Sequence, residues 1–579
     1  MMTYPLPPIS VEKSSARTLT LWNIVAAILV LGFLVFLAKA GSGVGQTLTE
    51  LRTTPVSLDP TNLPEYAART SLRMLAAMLV SLLFTFTYAT WAAKSRRAEV
   101  LLIPLLDILQ SVPILGFLSV TVVFFMSLAP GRVLGAELAA IFAIFTSQAW
   151  NMAFSFYQSL RTVPEELVEA SRCFGLSGWM RFWRLEVPFA MPPLVWNMMM
   201  SMSGGWFFVV ASEAISVGDT TVTLPGIGSY IALAIEQRDL ASVGWAIGTM
   251  LVVILIYDQL LFRPLVAWAD HFRFEQEAGV GPPRSWALTM LRRSWLGGVL
   301  KGSFGFVLQR WNRVVLKLGN SGRTGGKRGG LARWIDRAWY AAVAVLAALV
   351  LWKIAGFIST GVSITDVSEV FLLGLATMVR VFVLIGIASA IWVPVGVWIG
   401  LRPEVASVAQ PIAQFLAAFP ANLFFPIVVS GIVALKLNPN IWLSPLMILG
   451  TQWYILFNVV AGASSIPSEL RDVGTNLGVR GWLWWRKIAL PAILPFYVTG
   501  AITASGGSWN ASIVAEVASW GNQHLQAKGL GAYIAQATEA GDYHRIVIGI
   551  AVMSCFVTAI NRAFWRPLYE YAERKFRLS

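Results

Sequence analysis

The chain has 579 residues, 56% hydrophobic and only 13% charged, with 44 Lys and Arg against 30 Asp and Glu for a net charge of +14. Soluble globular domains carry about 25% charged residues, so this composition, with a mean hydropathy of +0.65, excludes a water-soluble fold. The basic excess is read as a topogenic signal rather than a nucleic-acid surface, and no nucleic-acid partner is expected.

Apolar runs of roughly 20 residues, each long enough to cross a hydrocarbon core of about 30 Å as a helix, recur along the whole length. The first is expected near 19–39. Lys13 and Arg17 precede it and Lys39 follows, the layout of a secretory signal. Its apolar stretch exceeds the roughly 7–15 residues of such a signal, so it is read as a retained membrane anchor. Further spans follow near 72–93, 105–128, 136–157, 188–212 and 241–262, then 338–357, 371–399, 411–435, 441–461, 491–515 and 545–563. Together they make about twelve transmembrane helices. Lys94, Arg96 and Arg97 follow the second span, Arg161, Arg172, Arg181 and Arg184 the fourth, and Arg263 and Arg273 the sixth. These loops share the side of the N-terminus, which the positive-inside rule makes cytoplasmic. Cys173 and Cys555 are too few for a disulfide framework and are read as reduced.

The sequence repeats itself. Gly226-Ile227-Gly228-Ser229-Tyr230-Ile231 matches Gly529-Leu530-Gly531-Ala532-Tyr533-Ile534 at an offset of 303, and Arg263-Pro264-Leu265 matches Arg566-Pro567-Leu568 at the same offset. Ser203-Gly204-Gly205 matches Ser505-Gly506-Gly507 within one residue of it, and Arg73 and Pro113 match Arg380 and Pro420 at 307. With an even number of spans per half, the repeats are parallel, and their pseudo-twofold axis along the membrane normal places a shared pathway between them. The expected organisation is a cytoplasmic N-terminus at 1–18, a first repeat at 19–274, a basic linker at 275–337 and a second repeat at 338–579. The linker stretch 319–328 imitates a phosphate-binding loop, but Ser321 and Arg328 occupy two of its required positions and no strand precedes it. Residues 286–318, rich in Trp, Leu, Arg and Lys, suit a helix lying in the inner-leaflet interface against membrane lipid.

After the fourth span the chain reads Pro164-Glu165-Glu166-Leu167-Val168-Glu169-Ala170-Ser171-Arg172-Cys173-Phe174-Gly175, closed thirteen residues later by Pro188. The second half gives Pro467, Glu469, Asp472-Val473-Gly474 and Gly478, with Pro491 at the same interval. Proline at the start and acids in the first turn favour a short helix, and glycine lets the chain reverse. This spacing resembles the E-A-A-x-x-x-G loop, followed by I-x-L-P, of permeases in binding-protein-dependent ABC importers. The second copy departs from it, with Asp472-Val473-Gly474 in place of E-A-A. The resemblance covers nearly the whole chain apart from the linker and the ends. Thr70 and Arg73, Thr377 and Arg380, the Ser-Gly-Gly segments, Glu213 and Glu516, and the G-x-G segments look most like the nitrate, sulfonate and taurine branch.

That resemblance implies an all-α polytopic protein with two parallel six-helix type I importer repeats, resident in a bacterial inner membrane with both termini cytoplasmic. It implies a translocation pathway for a small anion, and no enzymatic activity in this chain. ATP and Mg²⁺ would bind two separate ATP-binding cassette subunits, docked through Glu165, Glu166, Glu169, Ala170, Gly175 and Pro188 and through Glu469, Asp472, Gly478 and Pro491. A periplasmic or lipid-anchored binding protein would deliver the substrate.

Ionisable and small residues within spans are the pathway candidates. Arg73 and Arg380 would offer paired positive charge to an anion, or else snorkel or pair with Glu213 and Glu516. Gly204, Gly205, Gly506 and Gly507 would permit close approach or a local break, and Asn197, Trp206, Trp509 and Asn510 lie on the same helices. His271, His524 and His544 lack metal-ligand spacing, and neither a catalytic constellation nor a cofactor is expected in this chain. The competing reading is an ion-gradient-driven secondary transporter of six plus six helices. It would need buried carboxylates near the midplane, and the spans read as holding almost none.

Overall fold

The computed structural model describes residues 56–111, 114–217, 220–272, 286–293, 330–361 and 363–576. The expected N-terminal segment and first span, and all of the linker except 286–293 and 330–337, lie outside the described residues.

The first half contains α1 (Leu63–Phe84), α2 (Arg96–Ser111), α3 (Ile114–Leu128), α4 (Val133–Arg161), the short α5 (Glu165–Cys173), α6 (Val187–Glu213), α7 (Ile227–Glu236) and α8 (Leu240–Tyr257). The second half contains α9 (Gly330–Gly361), α10 (Ile364–Gly400), α11 (Pro403–Ala418), α12 (Phe425–Ala434), α13 (Gln452–Ser464), the short α14 (Ser468–Asn476), α15 (Leu490–Ala515), α16 (Leu530–Glu539) and α17 (Tyr543–Ile560). An antiparallel hairpin follows the fifth span of each half. In the first, β1 (Ala214–Val217) pairs with β2 (Thr220–Thr223), with Ala214 opposite Thr223. In the second, β3 (Val517–Trp520) pairs with β4 (Gln523–Gln526), with Val517 opposite Gln526.

Among the described residues eight helices are long and apolar enough to cross a membrane, or ten when each bent pair counts as one span. The expected twelve is therefore not reached. Expected span 19–39 is not described, and 105–128 falls across α2 and α3, which have 16 and 15 residues. The corresponding stretch of the second half bends by 75° after α11. Pro420 explains that break: the residue before a proline is pushed out of the helical region, and Phe419 is extended at ψ 131°.

The cores of the two halves interlock. The first-half core of α1, α4, α6 and α8 includes Phe419 and Leu423 from the second half. The second-half core takes in Ile114, Val122, Ala139, Ala143 and Phe208 from the first. On the hairpin side, Gly521 N–H at the tip between β3 and β4 donates to Ile235 O at the end of α7 over 2.9 Å. α9 is peripheral, its apolar window unburied, and touches the bundle where Phe357 stacks on His544 at 4.3 Å.

Candidate functional site

The long helices α6 and α15 both border one cavity between the halves. Trp206 with Trp509 and Glu213 with Glu516 keep the 303-residue offset through unbroken helix, so Gly204 corresponds to Gly507 and Phe207 to Asn510. The one-residue mismatch of the Ser-Gly-Gly segments is therefore not a gap in the backbone.

A cavity of about 650 Å³ lies between the halves, bordered by Ser203, Gly204, Phe207 and Phe208 of α6 and by Thr503, Gly506, Gly507, Trp509 and Asn510 of α15. Ser147, Trp150 and Asn151 of α4, with Gln110 of α2 and Thr451 and Tyr454, add hydroxyls, amides and rings. No Asp or Glu is among its described lining residues, and its two arginines, Arg562 and Arg566, border it at the end of α17. Asn510 is committed to the backbone: its Oδ1 accepts from Ile114 N–H at 2.9 Å, and its Nδ2 donates to Gly506 O at 3.2 Å. Trp206 instead borders a small neighbouring cavity of about 40 Å³. Asn197 donates to Ser155 Oγ at 2.9 Å, and a Cβ at Gly205 would stand 2.6 Å from Gln148 Nε2, so both serve helix packing.

Arg73, Arg380, Glu213 and Glu516 are not among the residues lining either cavity. They form two buried clusters at the hairpin end. Thr70 and Arg73, one turn apart on α1, reach Glu213 at the end of α6: Thr70 Oγ1 donates to Glu213 Oε1 at 2.7 Å and Arg73 Nη1 to the same oxygen at 2.6 Å. Glu213 Oε2 accepts from Gly228 N–H at 2.7 Å, and Ile227 N–H donates to Thr70 Oγ1 at 3.1 Å. The glycines of the G-x-G segment are demanded by this closeness. A Cβ at Gly226 would lie 2.3 Å from the Glu213 carboxyl, and one at Gly228 2.2 Å from Val210 O. The other side of Arg73 forms a two-pronged pair with Glu137 of α4 at 2.6 and 2.7 Å. Glu137, the fifth residue of α4, was missed from the sequence; like Glu213 it lies at the hairpin end of its helix. The second half repeats the arrangement: Thr377 Oγ1 and Arg380 Nη1 donate to Glu516 Oε1 at 2.8 and 3.0 Å, and Leu530 N–H to Thr377 Oγ1 at 2.9 Å. Of the alternatives for Arg73 and Arg380, pairing with Glu213 and Glu516 is what the structure shows.

At the opposite end stand α5 and α14, each begun by a proline in extended conformation, Pro164 and Pro467. Each ends in the left-handed glycine that the sequence requires, Gly175 at φ +68° and Gly478 at φ +67°. Leu176 N–H reaches Ser171 O, and Val479 N–H reaches Gly474 O, each at 2.9 to 3.0 Å, closing matched helix stops. Glu165, Glu166, Glu169 and Ala170 are exposed, as are Glu469 and Asp472. Immediately before each glycine an apolar side chain stands in the open, Phe174 83% and Leu477 75% exposed. Neither was singled out in the sequence; the signal was a large apolar residue at the same place in both copies. Pro188 and Pro491 are the second residues of α6 and α15, just after the π-helical turns Phe182–Glu186 and Trp485–Ala489. Cys173 and Cys555 are free and exposed.

Two helical repeats with apolar spans and a cavity between them define a polytopic membrane transport protein. The chain belongs to the family of binding-protein-dependent transport system inner membrane components, whose model matches it twice, over residues 84–263 and 392–577. Curated relatives include the bicarbonate transport system permease protein of Synechococcus elongatus, 28% identical over 188 residues, covering 32% of this chain and 64% of the relative. The glycine betaine/carnitine transport permease protein of Listeria monocytogenes is 28% identical over 189 residues, 32% of this chain and 61% of its own length. The nitrate import permease protein of a Synechocystis strain is 25% identical over 202 residues, 34% of this chain and 70% of its own. The first two matches thus span under two thirds of the relatives.

Proposed function

We propose that this chain is the permease of an ATP-driven importer in which both permease halves are supplied by one polypeptide, with a small anion of the bicarbonate or nitrate kind crossing between α6 and α15. The observation that carries this reading is the cavity between the two family repeats, bordered by equivalent segments of both fifth spans. Its described lining offers hydroxyls, amides and two arginines but no carboxylate, which suits an anion and opposes a cation. α5 and α14 are the docking helices for two separate ATP-binding subunits, which carry ATP and Mg²⁺. Exposed acids beside exposed apolar side chains, Phe174 in the first copy and Val473 and Leu477 in the second, are what a helix needs to enter a partner's groove. A binding protein delivers the anion to the hairpin side, and the loops bearing α5 and α14 face the cytoplasm.

The test is purification of the chain with its ATP-binding partners, followed by uptake of labelled bicarbonate, nitrate and glycine betaine into proteoliposomes containing the binding protein. Two ATP-binding subunits per chain are expected. Gly175→Val and Gly478→Val place a β-branched residue in left-handed backbone at about 1–2 kcal/mol each, and both are expected to insert normally. Gly175→Val is expected to abolish substrate-stimulated ATP hydrolysis, and Gly478→Val to impair it to a different degree. Wild-type hydrolysis by both variants would remove the docking role.

A further inference from the structure

The segments leading from the two short helices into the fifth spans are anchored by opposite chemistry. In the first half the anchor is charged. Glu186, the last residue of a π-helical turn (Phe182–Glu186) ahead of α6, is only 4% exposed. Its Oε1 accepts from Arg181 Nε at 3.1 Å, and its Oε2 accepts from Lys94 Nζ. Lys94 is the last residue of the short helix Thr90–Lys94 that closes the second span, and it also lies 6.0 Å from the Phe182 ring centre. One carboxylate therefore ties the foot of the second span to the segment leading from α5 into α6. A second acid repeats the device on the other flank: Tyr157 OH donates to Glu99 Oε1 at 2.6 Å, and Arg161, the last residue of α4, stands 3.9 Å from the same oxygen.

The second half has none of these groups at the corresponding positions. Offsets of 303 and 307 put Ala489 in place of Glu186, Trp484 in place of Arg181 and Leu401 in place of Lys94. Ala406, Val460 and Ser464 replace Glu99, Tyr157 and Arg161. Leu401 and Trp484 pack instead with Ile466, Leu470 and Ile488 in one apolar cluster. Leu470 lies on α14 itself, and a Cβ at Gly474 would meet Ile488 Cδ1 at 2.5 Å, so the helix sits directly on its apolar base.

We infer that Glu186 is a positioning residue for the first docking helix. Held by Lys94 and Arg181, it makes α5 move as one body with the foot of the second span, a role that the second half gives to apolar contact. The inference rests on the reading of α5 as a docking helix. The Glu186 carboxylate is buried while Lys94 and Arg181 are 39% and 23% exposed; the cluster is directional, and loss of either cation leaves the buried acid short of a partner. Apolar contact is non-directional and lets surfaces slide. The two docking helices are therefore coupled to the bundle with different stiffness.

Hydrogen exchange of the full chain in nanodiscs, with and without its ATP-binding partners, tests this. In Glu186→Ala the amides of 165–176 are expected to exchange on the order of tenfold faster, the loss of about one charged hydrogen bond, while those of 468–479 stay unchanged. In the partnered complex, substrate-stimulated ATP hydrolysis falls with the partners still bound. The triple variant Lys94→Leu, Arg181→Trp, Glu186→Ala transplants the second half's residues and is expected to recover both measures. Wild-type exchange in the single variant, equal acceleration of both loops, loss of the partners, or a triple variant no better than the single would each overturn the clasp. The docking reading is judged separately by the Gly175→Val and Gly478→Val complexes, so a failed clasp with impaired glycine variants leaves it standing.

Discussion

Where the fifth spans turn into the hairpins, the two halves solve one packing problem with different charges. In the first, Arg73 is 3% exposed between two carboxyl groups, Glu137 and Glu213. In the second, Arg380 is 15% exposed and paired with Glu516 alone; Asn440 stands where the first half has Glu137 and accepts from Arg380 Nη2 at 3.4 Å. Asn440 Oδ1 also accepts from Lys528 N–H at 2.8 Å, a backbone bond that a two-pronged arginine pair would displace. The common part, Thr, Arg, Glu and the glycines, closes α7 or α16 over the end of the fifth span. The third ligand of the arginine is where the repeats part. One chain thus carries a fully charged and a diluted version of the same closure, and the roles of the shared part are separable from those of the extra acid.

The largest contrast should come from removing the arginines. Arg73→Ala strands two buried carboxyl groups and is expected to destabilise the first half by about 3–5 kcal/mol. Arg380→Ala strands one, in a wetter site, and should cost about 1–3 kcal/mol. Thermal melting of each variant in nanodiscs measures the difference, and equal losses would erase the distinction between the clusters. A smaller change follows from giving the first half the second half's residue. Glu137→Asn leaves Arg73 its bonds to Glu213 and Pro225 O and is expected to cost no more than about 1–2 kcal/mol. A loss as large as that of Arg73→Ala would show that Glu137, not Glu213, is the principal partner.

The smallest effect lies outside the membrane. Asp239 caps α8, accepting from Ala241 N–H at 2.9 Å and from Ser242 Oγ at 2.6 Å. The Ser242 side-chain hydrogen bond first, then its backbone N–H, holds this carboxyl below its ordinary value. A depressed carboxylate stabilises the fold above its unfolded pKa of about 3.9, and the contribution fades as pH falls through the lower folded value. Asp239→Ala is therefore expected to melt slightly earlier than wild type at neutral pH, with the gap closing only in strong acid. A gap that closes between pH 5 and 7 would assign it to another group.

Features carried by local sequence were readable: the repeat, the proline-started helices, the left-handed glycines 175 and 478, and the fifth spans. Thr70 and Arg73, like Thr377 and Arg380, were visible as one-turn pairs, but their destination was not. Glu137 lies 64 residues from Arg73, and nothing in the periodicity of α4 sets it apart from a residue at the membrane edge. The break after α11 escaped because a window of apolar character averages across a proline. The unlike anchors beyond α5 and α14 needed the structure too, since Lys94 and Glu186 meet only through the fold.

Both fifth spans begin in a π-helical turn, Phe182–Glu186 and Trp485–Ala489, and both sixth spans end in one, Asp258–Phe262 and Asn561–Trp565. Such a turn carries one surplus residue in the hydrogen-bond ladder and is the usual place for a helix to bend. Each of these membrane helices thus carries at its foot the one turn whose ladder already holds a surplus residue, which is where a bend costs least.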